Sequence, residues 1–135
     1  MKKLVRYLAA FLLLCTLTGC VTTIRETKRI GEPEFTVLKE EDVPKEFSDR
    51  IKEEQETPFC LTYEDRGELY LARGYGKQEK TGYRVEISAL YETENTIVFH
   101  TTLFGPEKGE KTKETATYPY VVVRMKDMKK MVEFD

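Results

Sequence analysis

The period of the apolar positions changes several times along this chain, and each change predicts an element. An apolar run from Tyr7 to Leu14 follows the cations Lys2, Lys3 and Arg6 and gives way to small polar residues. That order is the order of a secretory leader. The run is shorter than the roughly 20 residues a helix needs to span a bilayer. Residues 21–34 hold little apolar content and no period, and read as a tether. Phe35-Thr36-Val37-Leu38 reads as a short first strand. "EEDVPKEFSDRIKEEQETP" is the one clear helix candidate, because Val43, Phe47 and Ile51 recur at four-residue spacing. Asp42 stands where a cap belongs, Pro44 is tolerated in a first turn, and Thr57-Pro58 ends the helix.

After Pro58 the period becomes two. Phe59, Leu61 and Tyr63 alternate with Cys60 and Thr62, "EDRG" at 64–67 reads as a turn, and 68–75 pairs back. Tyr83, Val85, Ile87, Ala89 and Tyr91 alternate through 83–92 as one face of a half-buried strand. "TEN" turns this into a strand over 96–104. A polar loop, "GPEKGEKTKE", precedes "TYPYVVVRM" at 117–125, the most apolar strand, and "KDMKK" turns into a last short strand, "MVEF". The predicted class is α+β, mainly antiparallel β, with six to seven strands and one amphipathic helix N-terminal to most of them. The sheet is sandwich-like or strongly curved.

Two cysteines near the start change the picture. Leu17-Thr18-Gly19-Cys20 resembles the bacterial lipobox, in which the cysteine takes a thioether-linked diacylglycerol and becomes the first residue of the mature chain. The domains expected are then a lipoprotein signal peptide over 1–19, a lipid-anchored tether over 20–34 and one β-rich domain over 35–135. Two or three acyl chains hold a soluble domain on a membrane durably, whereas one holds it marginally. The chain is expected outside the cytoplasm, on the outer face of the plasma membrane or in the outer membrane. Cleavage removes three bases and no acid, which takes the net charge from −2 to −5. Such a domain is a poor nucleic-acid binder, because that affinity comes largely from phosphate neutralisation. Only Cys60 remains as a free thiol, so the core must supply the stability.

The search for catalysis is short. His100 is the only histidine and shares a face with Val98, Thr102 and Phe104, where it reads as structural. Cys60 could be a nucleophile with His100 as its base, but its strand pattern reads as a buried, inert thiol. No His and Cys spacing fits zinc, no acidic pattern fits a calcium loop, and "GYGKQEKTG" fits no phosphate loop. The expectation is a protein without catalysis, cofactor or metal. The stretches that suit recognition are the loop "GYGKQEKTGY", bracketed by Gly74, Gly76 and Gly82, and Tyr118-Pro119-Tyr120, where two aromatics flank a rigid proline. The candidate contact residues are Tyr75, Lys80, Thr81, Gly82, Tyr83, Tyr118 and Tyr120. Against this, the glycines could serve turn geometry and the tyrosines the core.

"GKQEKTGYRVEI" at 76–87, "GPEKGE" at 105–110 and "TYPYVVVRM" at 117–125 resemble, in order and spacing, the C-terminal domain of the protease complex subunit PrcB family. The resemblance covers about 58–135. Thr117-Tyr118-Pro119-Tyr120 is its most specific part. Glu79 stands where the family usually has proline, and Lys80-Thr81-Gly82 replaces Thr-Gly-Gly. The resemblance implies a lipoprotein that associates with a surface or secreted protease and stabilises it. A fainter likeness is of Thr81-Gly82-Tyr83 to the end of a loop in chagasin-like cysteine-peptidase inhibitors, which implies a peptidase inhibitor. A small-ligand-binding or structural envelope protein is a third reading.

Overall fold

Seven strands and one helix follow one another within residues 28–135, the part of the chain that the computed structural model describes. The leader over 1–19, Cys20 and the first part of the tether lie outside the described residues. The elements are β1 (Phe35–Val37), α1 (Lys45–Glu54), β2 (Pro58–Asp65), β3 (Glu68–Tyr75), β4 (Arg84–Glu92), β5 (Thr96–Phe104), β6 (Tyr120–Lys126) and β7 (Met131–Phe134). They form a four-stranded sheet in the order β1-β6-β3-β2 and a three-stranded sheet in the order β4-β5-β7.

Alternation sends each sheet's apolar residues to defined sides. Leu69, Leu71, Val121, Val123 and Met125 of the larger sheet meet Leu90, Ile97 and Phe99 of the smaller one in a shared core. The opposite face of the larger sheet, with Tyr70, Ala72 and Val122, is covered by α1. Phe47 and Ile51 of α1 are fully buried there, as the four-residue stripe requires. The helix begins differently from the expectation. Pro44 is its N-cap, with no side-chain hydrogen bond, and its carbonyl accepts the Ser48 N–H at 2.8 Å. Asp42 sits two residues earlier, in a 3-10 turn over Glu40–Asp42.

Three further expectations are corrected. The strand after "KDMKK" does not pair with β6. Both edges of β6 are already taken, by β1 and β3, so the chain crosses to the other sheet and runs parallel to β5. The register of β4 shifts between Ile87 and Ala89, which leaves Ser88 as a bulge. Val85, Ile87 and Leu90 therefore face the core, while Ala89 and Tyr91 lie on the opposite face of the sheet beside His100 and Val98, where Tyr91 is buried beneath Arg29 and against His100. The single face assigned to Tyr83 through Tyr91 is split by that one extra residue. Cys60 is exposed, not buried. It lies on β2, an edge strand, on the face away from α1, where the smaller sheet does not reach. Finally, Ile30 and Gly31, within the stretch that reads as tether, are bonded to β4. Ile30 N–H donates to the Glu92 carbonyl and Glu92 N–H donates to the Gly31 carbonyl, each at 2.8 Å, so the domain already includes these residues.

The strand directions gather the connections at two ends. One end carries the 64–67 turn, the 93–95 turn, the 127–130 turn and residues 28–31. There Asp127 N–H donates to the Gly67 carbonyl at 2.9 Å and Lys130 Nζ donates to the Thr93 carbonyl at 2.7 Å. The other end carries the 76–83 loop, the 105–119 loop and the end of α1. Strands of eight or nine residues separate the two by about 25 Å.

Candidate partner-binding site

The loop between β3 and β4 starts with a sharp reversal. Gly76 has φ +78°, and a Cβ there would stand 3.0 Å from the Pro58 ring. Just before it, Gly74 lies flat under the Phe59 ring, where a Cβ would overlap the ring at 2.1 Å. The first glycine is thus needed for space and the second for backbone conformation and space.

Beyond Gly76 the loop is bound on both sides. Lys77 N–H donates to the Glu56 carbonyl, two residues past the end of α1, at 3.2 Å. Gln78 and Thr117 exchange two backbone hydrogen bonds of 2.8 and 2.9 Å. Thr117 Oγ1 donates to the Lys80 carbonyl at 3.0 Å. Thr81 N–H donates to the Lys113 carbonyl at 3.0 Å, and Lys113 N–H donates to Thr81 Oγ1 at 2.9 Å. Gly82, at φ +100°, has no room for a side chain, since a Cβ would come within 2.9 Å of the Pro106 Cβ. A Cβ built on Gly105 would stand 3.4 Å from the Tyr83 ring. The loops 76–83 and 105–113 and the Thr117–Tyr120 stretch therefore form one bound cluster at one end of the domain.

The seven candidate contact residues divide by what they touch. Tyr75 Oη and Thr101 Oγ1 are 2.6 Å apart and join the two sheets, while the Arg73 guanidinium lies 4.4 Å above the Tyr75 ring. Tyr120 packs against the helix-side core, with its ring 6.5 Å from that of Phe59. Burial, followed by the Glu40 carboxylate, pushes its phenol above the usual range. Tyr118 donates from Oη to Glu56 Oε1 at 3.1 Å, and that carboxylate raises the phenol pKa. Thr81 and Gly82 hold the two loops together. Tyr75 and Tyr120 thus serve packing, while Lys80, Gly82, Tyr83 and Tyr118 leave surface at the loop end. Sequence reasoning missed Glu56, Pro106, Glu110 and Lys113 as neighbours. Only the proline–glycine character of the 105–110 loop signalled any of them.

The structure does not bring Cys60 and His100 together. His100 lies on the smaller sheet, on the face turned away from the larger one. Its Nδ1 is 3.0 Å from Asp135 Oδ2 and its ring stacks on Tyr91, with centroids 5.9 Å apart.

Fold and site define a small, mainly antiparallel β domain of two sheets that presents a bound pair of loops at one end. Residues 69–126, from β3 through β6 and including all three motif stretches, match the family model described as PrcB C-terminal. No curated protein and no solved structure gives a significant match to the chain.

Proposed function

We propose that this chain is a lipid-anchored, extracytoplasmic protein-binding module that associates with a surface or secreted protease and stabilises it, with no catalysis of its own. The observation that carries this reading is the convergence of the three family motifs. Strands β4 and β5 run between the first loop and the other two, yet the Gln78–Thr117 and Thr81–Lys113 backbone bonds and the packing of Gly82 on Pro106 bring all three together at the loop end. A rigid surface loses little conformational entropy on binding, which favours recognition. Binding to the folded protease would stabilise it by mass action. The lipid on Cys20 would raise the local concentration of both partners at the membrane.

One observation favours a second reading, that of a peptidase inhibitor. Thr81 pins the Lys113 backbone through two hydrogen bonds, which holds the exposed 105–116 loop in a fixed shape for insertion into a cleft. Deleting the chain separates the two readings. Loss of peptidase activity and of protease protein from the membrane supports the stabiliser. A gain of activity overturns it in favour of the inhibitor.

A further inference from the structure

We infer that the end of the domain bearing Ile30 and Met131 rests on the lipid surface, so that the domain stands upright and holds the loop cluster away from the membrane. The inference rests on the lipid anchor at Cys20 in the proposed function. It does not depend on the protease.

The first described residues enter at this end. Ile30 is bonded to Glu92, beside the 93–95 turn, and Thr93, Thr96 and Met131 border one shallow groove next to it. The eight residues that follow Cys20 bring the chain to Lys28. Fully extended, they reach about 28 Å. An anchor at Cys20 therefore keeps this end within about 28 Å of the bilayer, while the loop end lies about 25 Å further along the strands.

The chemistry of this end suits a lipid interface. Met131 is 78% exposed and Ile30 55%, and they flank the 93–95 turn. The lysines beside them are paired. Lys130 meets Glu92 at 3.3 Å, and Lys129 meets Asp127 at 2.9 Å. Attraction to anionic headgroups is thus offset locally, and the contact expected is apolar. Two side chains would bind a bilayer weakly from solution. A short tether makes the encounter intramolecular, at an effective concentration of about millimolar, so that a weak contact becomes populated.

The chain has no tryptophan, so single reporters are clean. Full-length lipoprotein carrying Met131→Trp, Ile30→Trp or, at the loop end, Lys80→Trp would be reconstituted in phosphatidylcholine vesicles containing dibrominated phosphatidylcholine. The N-terminal peptide's mass would be measured on the same samples. At least twofold quenching of the Met131→Trp and Ile30→Trp proteins, with none for Lys80→Trp, is expected. A lipidated chain whose Met131→Trp emission is unquenched, or is quenched no more than Lys80→Trp, overturns the upright docking alone. A chain without lipid overturns both the anchor and this inference.

Discussion

Gln78 and Thr117 exchange two backbone hydrogen bonds, of 2.8 and 2.9 Å, although two whole strands, β4 and β5, lie between them in sequence. This pairing makes one surface of the two most distinctive stretches of the chain. It also sets what substitutions there would do.

Thr81 bridges to the second loop through both its backbone and its hydroxyl. Thr81→Val removes the acceptor for Lys113 N–H and costs about 0.5–1.5 kcal/mol. The larger effect is local. Limited trypsin digestion should cut at Lys111 or Lys113 several-fold faster than in the parent, while the thermal midpoint moves by only a few degrees. An unchanged cleavage rate would show that the loop is held by other contacts.

Gly74 is set by the ring across from it. Gly74→Ala drives a methyl group into Phe59 and costs about 1–3 kcal/mol. Phe59→Ala is costly alone, but in its background the glycine substitution should be nearly neutral. Urea unfolding of the four proteins of this double-mutant cycle checks the coupling.

Cys60 is exposed on the face of β2 that the smaller sheet does not reach. It should react with a thiol reagent in the folded protein at close to the rate of a free thiol. Cys60→Ser should leave stability within about 0.5 kcal/mol. Protection of the thiol until denaturant is added would contradict this placement.

Asp127 accepts the Lys129 N–H at 2.9 Å and pairs with its ammonium, which holds the carboxyl below its usual range. A depressed folded pKa contributes stability that is present above the unfolded pKa and lost as pH falls through the folded value. The stability difference between the parent and Asp127→Asn should therefore be largest at neutral pH and shrink as the solution is acidified below the ordinary carboxylate range. Unfolding midpoints compared at pH 7 and pH 3 measure this. A constant difference would assign the effect to the turn geometry of Lys129, which has φ +54°, and not to charge.

Much of this fold is legible in the sequence because it rests on local periods. The stripe Val43, Phe47 and Ile51 marks the helix face, and the alternation of Phe59, Leu61 and Tyr63 marks β2. What the sequence hides depends on partners chosen at long range. Nothing near Met131 shows that β6 has no free edge, so the parallel pairing of β7 with β5 is invisible locally. Nothing near Cys60 shows that its strand overhangs the smaller sheet. Ser88 looks like any polar residue of a half-buried strand, yet as a bulge it reverses the facing of Ala89 and Tyr91. The candidate site is legible as motifs but not as contacts. Thr81 and Gly82 read as recognition residues, and the structure places them as fasteners between two loops. Replacing both with alanine would disturb the loop cluster as well as any contact it makes, so Lys80 and Tyr118 are the cleaner sites for testing recognition.

The proposed function requires the loop end to meet a protease. A photo-crosslinking residue placed at Lys80, and separately at Arg66 in the turn at the opposite end, tests it most directly in membranes of the producing cell. The account predicts that a secreted or surface protease is captured, near equimolar, from position 80 and not from position 66. No protease at either position, or equal capture from both, would contradict it.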